Sequence, residues 1–181
     1  GKTHENIKTI RPLRDGVIAD FQAAEYMLRD MIKMINFHNS IFPPALKMGL
    51  VIPEYDSAEY YKAIDVEHEP ELKSQPEKQE RCRRCYLLRM EKSYQYATDH
   101  NFDYITTALS ISPHKDSAVI NALGIQLQKK YRIDGHGPRF LLADFKKKNG
   151  FKRSLELSRD FDLYRQDYCG CVYSMKRITQ N

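Results

Sequence analysis

Long apolar runs, cysteine and repetition are all scarce in this sequence of 181 residues, and each scarcity excludes something. No stretch of about 18 consecutive apolar residues occurs, so nothing has the character of a membrane-spanning helix. Only four cysteines are present, too few for the disulfide framework of a small secreted domain. Internal repeats and low-complexity tracts are missing, which sets aside solenoids and linkers. The chain opens Gly1-Lys2-Thr3, without an initiator Met, an apolar signal core or an Arg-rich transit pattern. The expectation is a cytoplasmic protein whose start is internal to some longer reading frame. What is present is 41% apolar and 29% charged residues at a mean hydropathy of −0.64, which suits a soluble globular unit and is too apolar for a disordered chain.

Charge is unevenly spread. Residues 1–53 carry seven Lys and Arg against five Asp and Glu, residues 54–80 three against nine, and residues 81–181 nineteen against ten. The acidic middle therefore separates a mildly basic start from a strongly basic remainder. Both cysteine pairs, Cys82-x-x-Cys85 and Cys169-x-Cys171, fall in the basic part. A basic surface around thiols suits a polyanionic substrate such as RNA, and an ordinary solvated basic face reads the same way.

The apolar pattern predicts the elements. Ala23, Ala24, Met27, Leu28, Met31, Ile32 and Ile35 recur with helical spacing behind Asp20 as N-cap, and Pro43-Pro44 stops any continuation. Leu46 to Ile52 reads as a strand ending at Pro53, and Asp56 to Glu59 opens a short helix through Ile64. Residues 65–80, acidic and interrupted by two prolines, read as an exposed loop ahead of a long helix from Arg81 to Asp99. Tyr104 to Leu109 is β-branched and aromatic enough for a buried strand. Ser112-Pro113 then offers an N-cap and N1 proline for a helix to Tyr131. Gly135 to Pro138, with His136 as a turn residue, leads into a strand Phe140 to Leu142. A helix from Ser154 to Phe161 and an irregular tail from Tyr164 complete the chain. Strands alternating with crossover helices predict an α/β domain with a parallel sheet.

Chemistry concentrates in few places. Cys82 and Cys85 stand i, i+3 on a predicted helix, so both sulfurs share a face and suit one metal centre, and Arg81, Arg83 and Arg84 beside them favour thiolates. Two ligands are half a site, since a tetrahedral zinc or an iron–sulfur cluster needs about four. Cys169-Gly-Cys171 is either a small strained redox disulfide or a second ligand pair; spacing alone leaves both open. Thr106 to Asp116 leaves the carboxyl end of a predicted strand, where open α/β sheets bind ligands, and offers His114 and Asp116 as proton donors and Lys115 for phosphate. Lys146, Lys147, Lys148, Lys152 and Arg153, interleaved with Phe145 and Phe151, form a basic loop fit for a phosphate backbone and a stacked base.

These blocks carry a resemblance. From about Glu54 to Ser174 the chain resembles the iron–sulfur epoxyqueuosine reductases of the QueH type. It does so through Glu80-Arg-Cys82-Arg-Arg-Cys85-Tyr86, Thr106-Thr107 through Asp116, Asp144-Phe-Lys-Lys-Lys-Asn-Gly150, and Leu163-Tyr-Arg-Gln-Asp-Tyr-Cys-Gly-Cys171. The resemblance implies a Rossmann-like (HUP-like) parallel-sheet domain that converts epoxyqueuosine to queuosine in tRNA. It implies Cys82 and Cys85 as two ligands of a [4Fe-4S] cluster and Cys169 and Cys171 as a redox-active disulfide. Members of that family open with a strand ending in a Cys-Cys pair that supplies the other two ligands, and no cysteine precedes Cys82 here. Residues 1–53, from Gly1-Lys-Thr-His-Glu-Asn-Ile-Lys-Thr-Ile through Asp20 and the helix and strand after it, resemble instead the actin-like, rod-shape-determining MreB family. A join near Pro53 is therefore expected, with a foreign helix and strand standing where the reductase domain's own N-terminal part would be and the reductase domain running from 54 to 181.

Two functions follow from these readings. One is a cytoplasmic oxidoreductase acting on tRNA that carries epoxyqueuosine, with an electron donor and without a membrane. In it the cysteine pairs carry the redox chemistry, His114 or Asp116 protonates the epoxide oxygen, and Lys146 to Arg153 together with Arg165 hold the RNA. The other is a catalytically incomplete remnant that binds tRNA or zinc without turnover. If the basic segment holds RNA through phosphates, its affinity for tRNA should fall steeply and log-linearly as salt is raised in a filter-binding titration. An affinity that stays flat with salt removes the basic loop from that role.

Overall fold

In the structure, a computed structural model, the residues described are 13–14, 17–18, 33, 35–41, 48–54, 56–163, 165, 169 and 171–174. The chain divides into two compact units, Gly1–Ser57 with Ser158–Asn181, and Ala58–Leu157, and each is described by itself.

The second unit is built on a helix pair and a parallel strand pair. Helix α1 (Ser57–Ile64) begins at the last residue of the first unit and buries Ile64, and a Lys92–Glu59 ion pair ties it to the long helix α2 (Glu80–Asp99). Helix α2 buries Cys82, Tyr86, Met90, Tyr94 and Ala97, an i, i+4 stripe that makes one continuous apolar face. Strand β3 (Tyr104–Ile105) follows, then helix α3 (Ser117–Tyr131) and strand β4 (Arg139–Phe140). Strands β3 and β4 pair in parallel, with Tyr104 opposite Arg139 and Ile105 opposite Phe140. A parallel pair needs a long crossover, and α3 supplies it. The result is mixed α/β as expected, with a sheet of two strands. Residues 100–103 alone separate α2 from β3, so α2 runs back against the strands and its N-terminus sits at their carboxyl end.

The core lies where α2, α3 and the sheet meet. Tyr94 is fully buried between the rings of Tyr131 (5.6 Å) and Phe140 (6.4 Å), and its hydroxyl donates to the Gly124 carbonyl at 3.2 Å. Burial pushes the Tyr94 phenol up to about 12. Gly124 is what lets β4 approach α3, because a Cβ there would stand 2.2 Å from the Phe140 ring.

Several element boundaries differ from the sequence expectation. The helix after the Thr106 block starts at Ser117, not at Pro113, because the Asp116 carboxylate accepts from the N–H groups of Ala118 (2.8 Å) and Val119 (3.2 Å) and caps it. The strand expected over Tyr104 to Leu109 stops at Ile105, where a 3₁₀ turn, Ala108–Ile111, takes over with Thr107 as its cap. The strand expected over Phe140 to Leu142 is Arg139–Phe140, although the Leu141 N–H still donates to Ile105 at 2.8 Å. The acidic stretch 65–80 is not uniformly exposed, since a 3₁₀ turn at Pro70–Lys73 buries Leu72, and Val66 is buried too. Helix α4 (Gly150–Asp160) begins one turn before Ser154, so Lys152 and Arg153 stand on a helix and not in a loop.

In the first unit, β1 (Leu13–Arg14) and β2 (Val17–Ile18) form a small antiparallel pair that the apolar pattern did not indicate. Residues 35–41 are helical and end ahead of Pro43-Pro44, while the rest of the helix expected from Asp20 lies outside the described residues apart from 33. The strand expected over Leu46 to Ile52 is not one: residues 48–54 carry no ladder, and Val51 and Ile52 are exposed. The Asn39 side chain instead satisfies both backbone groups of Met48, accepting from its N–H at 2.7 Å and donating to its carbonyl at 2.9 Å. Phe37 packs on Phe161 with ring centroids 6.1 Å apart, and a 3₁₀ turn at Val172–Ser174 interrupts the tail read as irregular.

The Gly124 contact makes a stability prediction. Gly124→Ala drives a methyl group into the Phe140 ring and should destabilise by about 1–3 kcal/mol, whereas Tyr94→Phe removes only one hydrogen bond and should cost about 1 kcal/mol. Denaturant midpoints of the two variants check the order, and a neutral Gly124→Ala would show that the β4 contact is dispensable.

Candidate functional site

Of the residues singled out in sequence, Cys82, Cys85, His114 and Lys115 stand at or against the start of α2, at the carboxyl end of the sheet. Cys82 and Cys85 lie in the first two turns of that helix. Cys82 is buried in the core cluster with Tyr86 and Met90, and Cys85 is half-buried, so the two sulfurs share a helix face but not an environment. All four cysteines of the chain are thiols.

The arginines between and before these cysteines do not act as expected. Arg81 is buried, and its guanidinium donates to the carbonyls of Leu72 (2.5 Å) and Lys73 (3.2 Å), clamping the 3₁₀ turn of the acidic segment onto α2. Arg84 pairs with Glu69 at 2.7 Å and Glu80 at 3.2 Å and donates to the Ile64 carbonyl. These hydrogen bonds to Glu69 and Glu80 raise its already high pKa further. Arg83 lies 3.2 Å from Glu80. Of the three arginines read as support for thiolates, Arg83 and Arg84 are thus paired with carboxylates of the acidic stretch 65–80. Glu69 and Leu72 are residues that sequence reasoning passed over, since an acidic run shows nothing of its partners, and Glu80 was read only as part of the cysteine motif.

The segment after β3 reaches the same end of α2. His114 Nδ1 lies 3.1 Å from Glu77 Oε2, just ahead of the helix, and the Lys115 ammonium sits over the Tyr86 ring at 5.9 Å from its centroid. Tyr86 is one turn from Cys82, so the lysine lies beside the cysteine face. Thr106 donates to the Leu141 carbonyl at 3.0 Å, the Thr107 hydroxyl caps the 3₁₀ turn, and the Ser112 hydroxyl accepts from the His114 N–H. Asp116, expected as a proton donor, is the cap of α3. His114 is exposed.

Two cations of the basic segment Lys146 to Arg153 are engaged within the protein. The Lys146 ammonium turns inward, donating to the carbonyls of Ser110 (2.8 Å) and Lys115 (3.3 Å) and pairing with Asp144 at 3.2 Å. Burial alone would raise the Asp144 carboxyl, but hydrogen bonds from Lys146 and Ser117 and the lysine's charge hold it below the usual carboxylate value. Fully buried Ser110 completes this knot by accepting from the Phe145 N–H at 3.3 Å. Sequence reading passed over Ser110 as one hydroxyl among several. Arg153 pairs with Glu156 on α4 at 3.2 Å, while Lys147, Lys148 and Lys152 are exposed.

Cys169, Cys171 and Arg165 belong to the first unit. Ser174 links the two cysteines: its hydroxyl accepts from the Cys169 N–H at 3.2 Å and donates to the Cys171 carbonyl at 2.8 Å. Arg165 is exposed and donates to Ser158 at 2.9 Å.

A four-iron cluster or a structural zinc asks for about four protein donors. Cys82 and Cys85 offer two soft donors on one face, and among the described residues no group of three or more His, Cys, Asp and Glu side chains is placed to hold a metal ion. The described residues are thus half a donor set and do not by themselves fit a cluster. Among them, no helix is long and apolar enough to cross a membrane.

Comparison with known proteins gives this arrangement a family. The family model of "Epoxyqueuosine reductase QueH" matches residues 21–177, and so begins ahead of the expected join near Pro53. Proteins of that name from Streptococcus pyogenes and Staphylococcus epidermidis are 48% identical over 105 residues and 36% identical over 123 residues. They correspond to 58% and 67% of this chain and to 39% and 50% of their own length. The relative from Acinetobacter baylyi is 31% identical over 156 residues, 84% of this chain and 63% of its own. The chain therefore spans half or less of the first two of these relatives. The family match across residues 21–177, most of the chain, makes it a member of the epoxyqueuosine reductase QueH family.

Proposed function

We propose that the chain carries part of a cytoplasmic epoxyqueuosine reductase acting on tRNA. The reaction reduces the epoxide of epoxyqueuosine to the alkene of queuosine. Two electrons and two protons are consumed, both carbon–oxygen bonds break, and the oxygen leaves as water. The observation that carries this reading is that the segment of His114 and Lys115 folds against the start of the cysteine helix, Lys115 over Tyr86 and His114 beside Glu77, in a chain of this family. Open α/β sheets bind their substrates at the carboxyl ends of their strands.

In this reading Cys169 and Cys171 form the redox pair. Oxidation of the two thiols to a disulfide releases the two electrons and two protons that one turnover consumes, and an external reductant must restore the thiols. Cys82 and Cys85 offer two donors of an iron–sulfur centre, and the Cys-Cys pair that would complete it is absent from this sequence. His114 is the better candidate acid for the epoxide oxygen, because the Asp116 carboxylate is engaged by two backbone N–H groups. Lys147, Lys148 and Lys152 are the residues left for phosphates, since Lys146 is turned inward. The join near Pro53, with residues 1–53 drawn from an MreB-like protein and 54–181 forming the reductase domain, belongs to this proposal as well.

Anaerobic reconstitution with iron and sulfide, followed by iron, sulfide and zinc analysis, tests the assignment of the cysteines. Cys82→Ser and Cys85→Ser should each lose most bound iron, while Cys169→Ser and Cys171→Ser should keep it and lose turnover of epoxyqueuosine tRNA. Loss of iron in the Cys169 and Cys171 variants would make that pair ligands in place of a redox disulfide. Zinc without iron in the parent chain would favour the incomplete remnant.

A further inference from the structure

A cleft of the second unit lies at the other end of the sheet from Cys82 and Cys85, where nothing has been assigned. It encloses about 720 Å³ between the C-terminal ends of α2 and α3 and the amino ends of β3 and β4, within the range of small-molecule sites. Phe102, Tyr104, Arg139 and Ile133 line it, and all four are exposed, with Phe102 at 51% and Tyr104 at 53%. Here the backbone sets a ring and a cation side by side. Tyr104 and Arg139 are directly opposite each other in the parallel ladder. Neighbouring strands lie about 4.8 Å apart, and register partners project from the same face. Their successors, Ile105 and Phe140, turn to the helices and the core, which leaves ring and guanidinium together on the open face.

Phe102 packs its ring against Tyr96 of α2 at 6.1 Å between centroids, while Arg139 and Asp103 are left to the cleft. No ion pair or side-chain hydrogen bond involves Arg139 or Asp103 among the described residues, whereas neighbouring Arg132 donates to the Gly137 carbonyl at 2.9 Å and so braces the rim. The rim itself is a tight turn, Ile133 bridged to His136, with Gly135 and Gly137 at φ of +82° and +104°. A side chain at Gly137 would meet the Tyr131 carbonyl at 2.7 Å, so the turn's shape is fixed. A rigid pocket that offers an aromatic face, a planar cation about one strand spacing away, and a carboxylate acceptor is suited to one chemistry. The ring stacks on a base, the guanidinium forks onto a phosphate, and the carboxylate accepts from a ribose hydroxyl or an exocyclic amine.

We propose that this cleft binds a nucleoside monophosphate unit, with its base on Tyr104 and Phe102 and its phosphate on Arg139. The unit is either a free mononucleotide or one unstacked nucleotide of an RNA strand. The proposal is independent of the reductase reading, because it uses no residue of the cysteine end.

The test is equilibrium binding of radiolabelled AMP, GMP and a short single-stranded oligoribonucleotide to the full chain at low salt. Parallel titrations use Tyr104→Ala, Tyr104→Phe, Arg139→Gln and Arg139→Lys. Both positions are exposed, and circular dichroism verifies that each variant keeps its helices. Tyr104→Ala and Arg139→Gln should each weaken binding at least about fivefold, the lower end of what one stacked base contributes. Tyr104→Phe should retain most of the affinity, because the ring persists, and Arg139→Lys should fall between. Mononucleotides binding as tightly as the oligomer identify a free nucleotide as the ligand, and binding confined to the oligomer identifies RNA. Binding unchanged in Tyr104→Ala and Arg139→Gln, no binding of any of the three probes, or inorganic phosphate competing as well as AMP overturns the proposal.

Discussion

The packing of β4 onto α3 across Gly124 is the constraint on which the second unit depends. Because that position has no side chain, the Phe140 ring lies against the helix backbone, and the Gly124 carbonyl is free to accept from Tyr94 on α2. Three elements are thereby pinned at one point: the long helix that carries the cysteines, the crossover helix, and the outer strand of the pair. The carboxyl end of the sheet inherits its geometry from this point. The Thr106 segment leaves β3 in a direction set by its pairing with β4, and that direction brings His114 to Glu77 and Lys115 to Tyr86.

A second layer of order comes from ion pairs and hydrogen bonds at the same end. Arg81 and Arg84 draw the acidic segment down onto α2, and Lys146 gathers Ser110, Lys115 and Asp144. These cations act as struts. Exposed ion pairs contribute little to stability, but Arg81 is buried against two carbonyls, and groups in such surroundings are costly to leave unmade. Net charge counted along the chain therefore overstates the charge available to a ligand at this end. The carboxylates that neutralise it come from the very stretch whose composition suggests a solvated loop.

Much of this was legible in the sequence where periodicity or a capping residue spoke for itself. The face of α2 follows from the spacing of Cys82, Tyr86, Met90 and Tyr94, and the α/β class from strands alternating with helices. The cysteine end was legible as a cluster of motifs, and the fold brings Cys82, Cys85, His114 and Lys115 to one place. What was not legible depended on contacts distant in the chain. Ser112-Pro113 has the form of a helix start, yet Asp116 prevails because its carboxylate reaches two N–H groups at once. Leu46 to Ile52 has the composition of a strand, but composition does not supply a neighbouring strand, and Asn39 satisfies the Met48 backbone instead. Lys146 looks like its neighbours Lys147 and Lys148 in sequence, and only the position of the Ser110 carbonyl distinguishes it.

The crossover from β3 to β4 also bears on how the unit folds. The bonds from Arg139 to Asp103 and from Leu141 to Ile105 join backbone positions some 36 residues apart, and no shorter route connects those strands. Closing such a span costs chain entropy before any ladder bond is gained, and pairings of this kind slow folding relative to local contacts. Helix α3 shortens the gap as it forms, converting a floppy tether into a rod that delivers β4 next to β3. The Asp116 cap stands at the start of that rod, so a carboxylate first read as a candidate acid is better described as part of the folding route by which the sheet comes to exist.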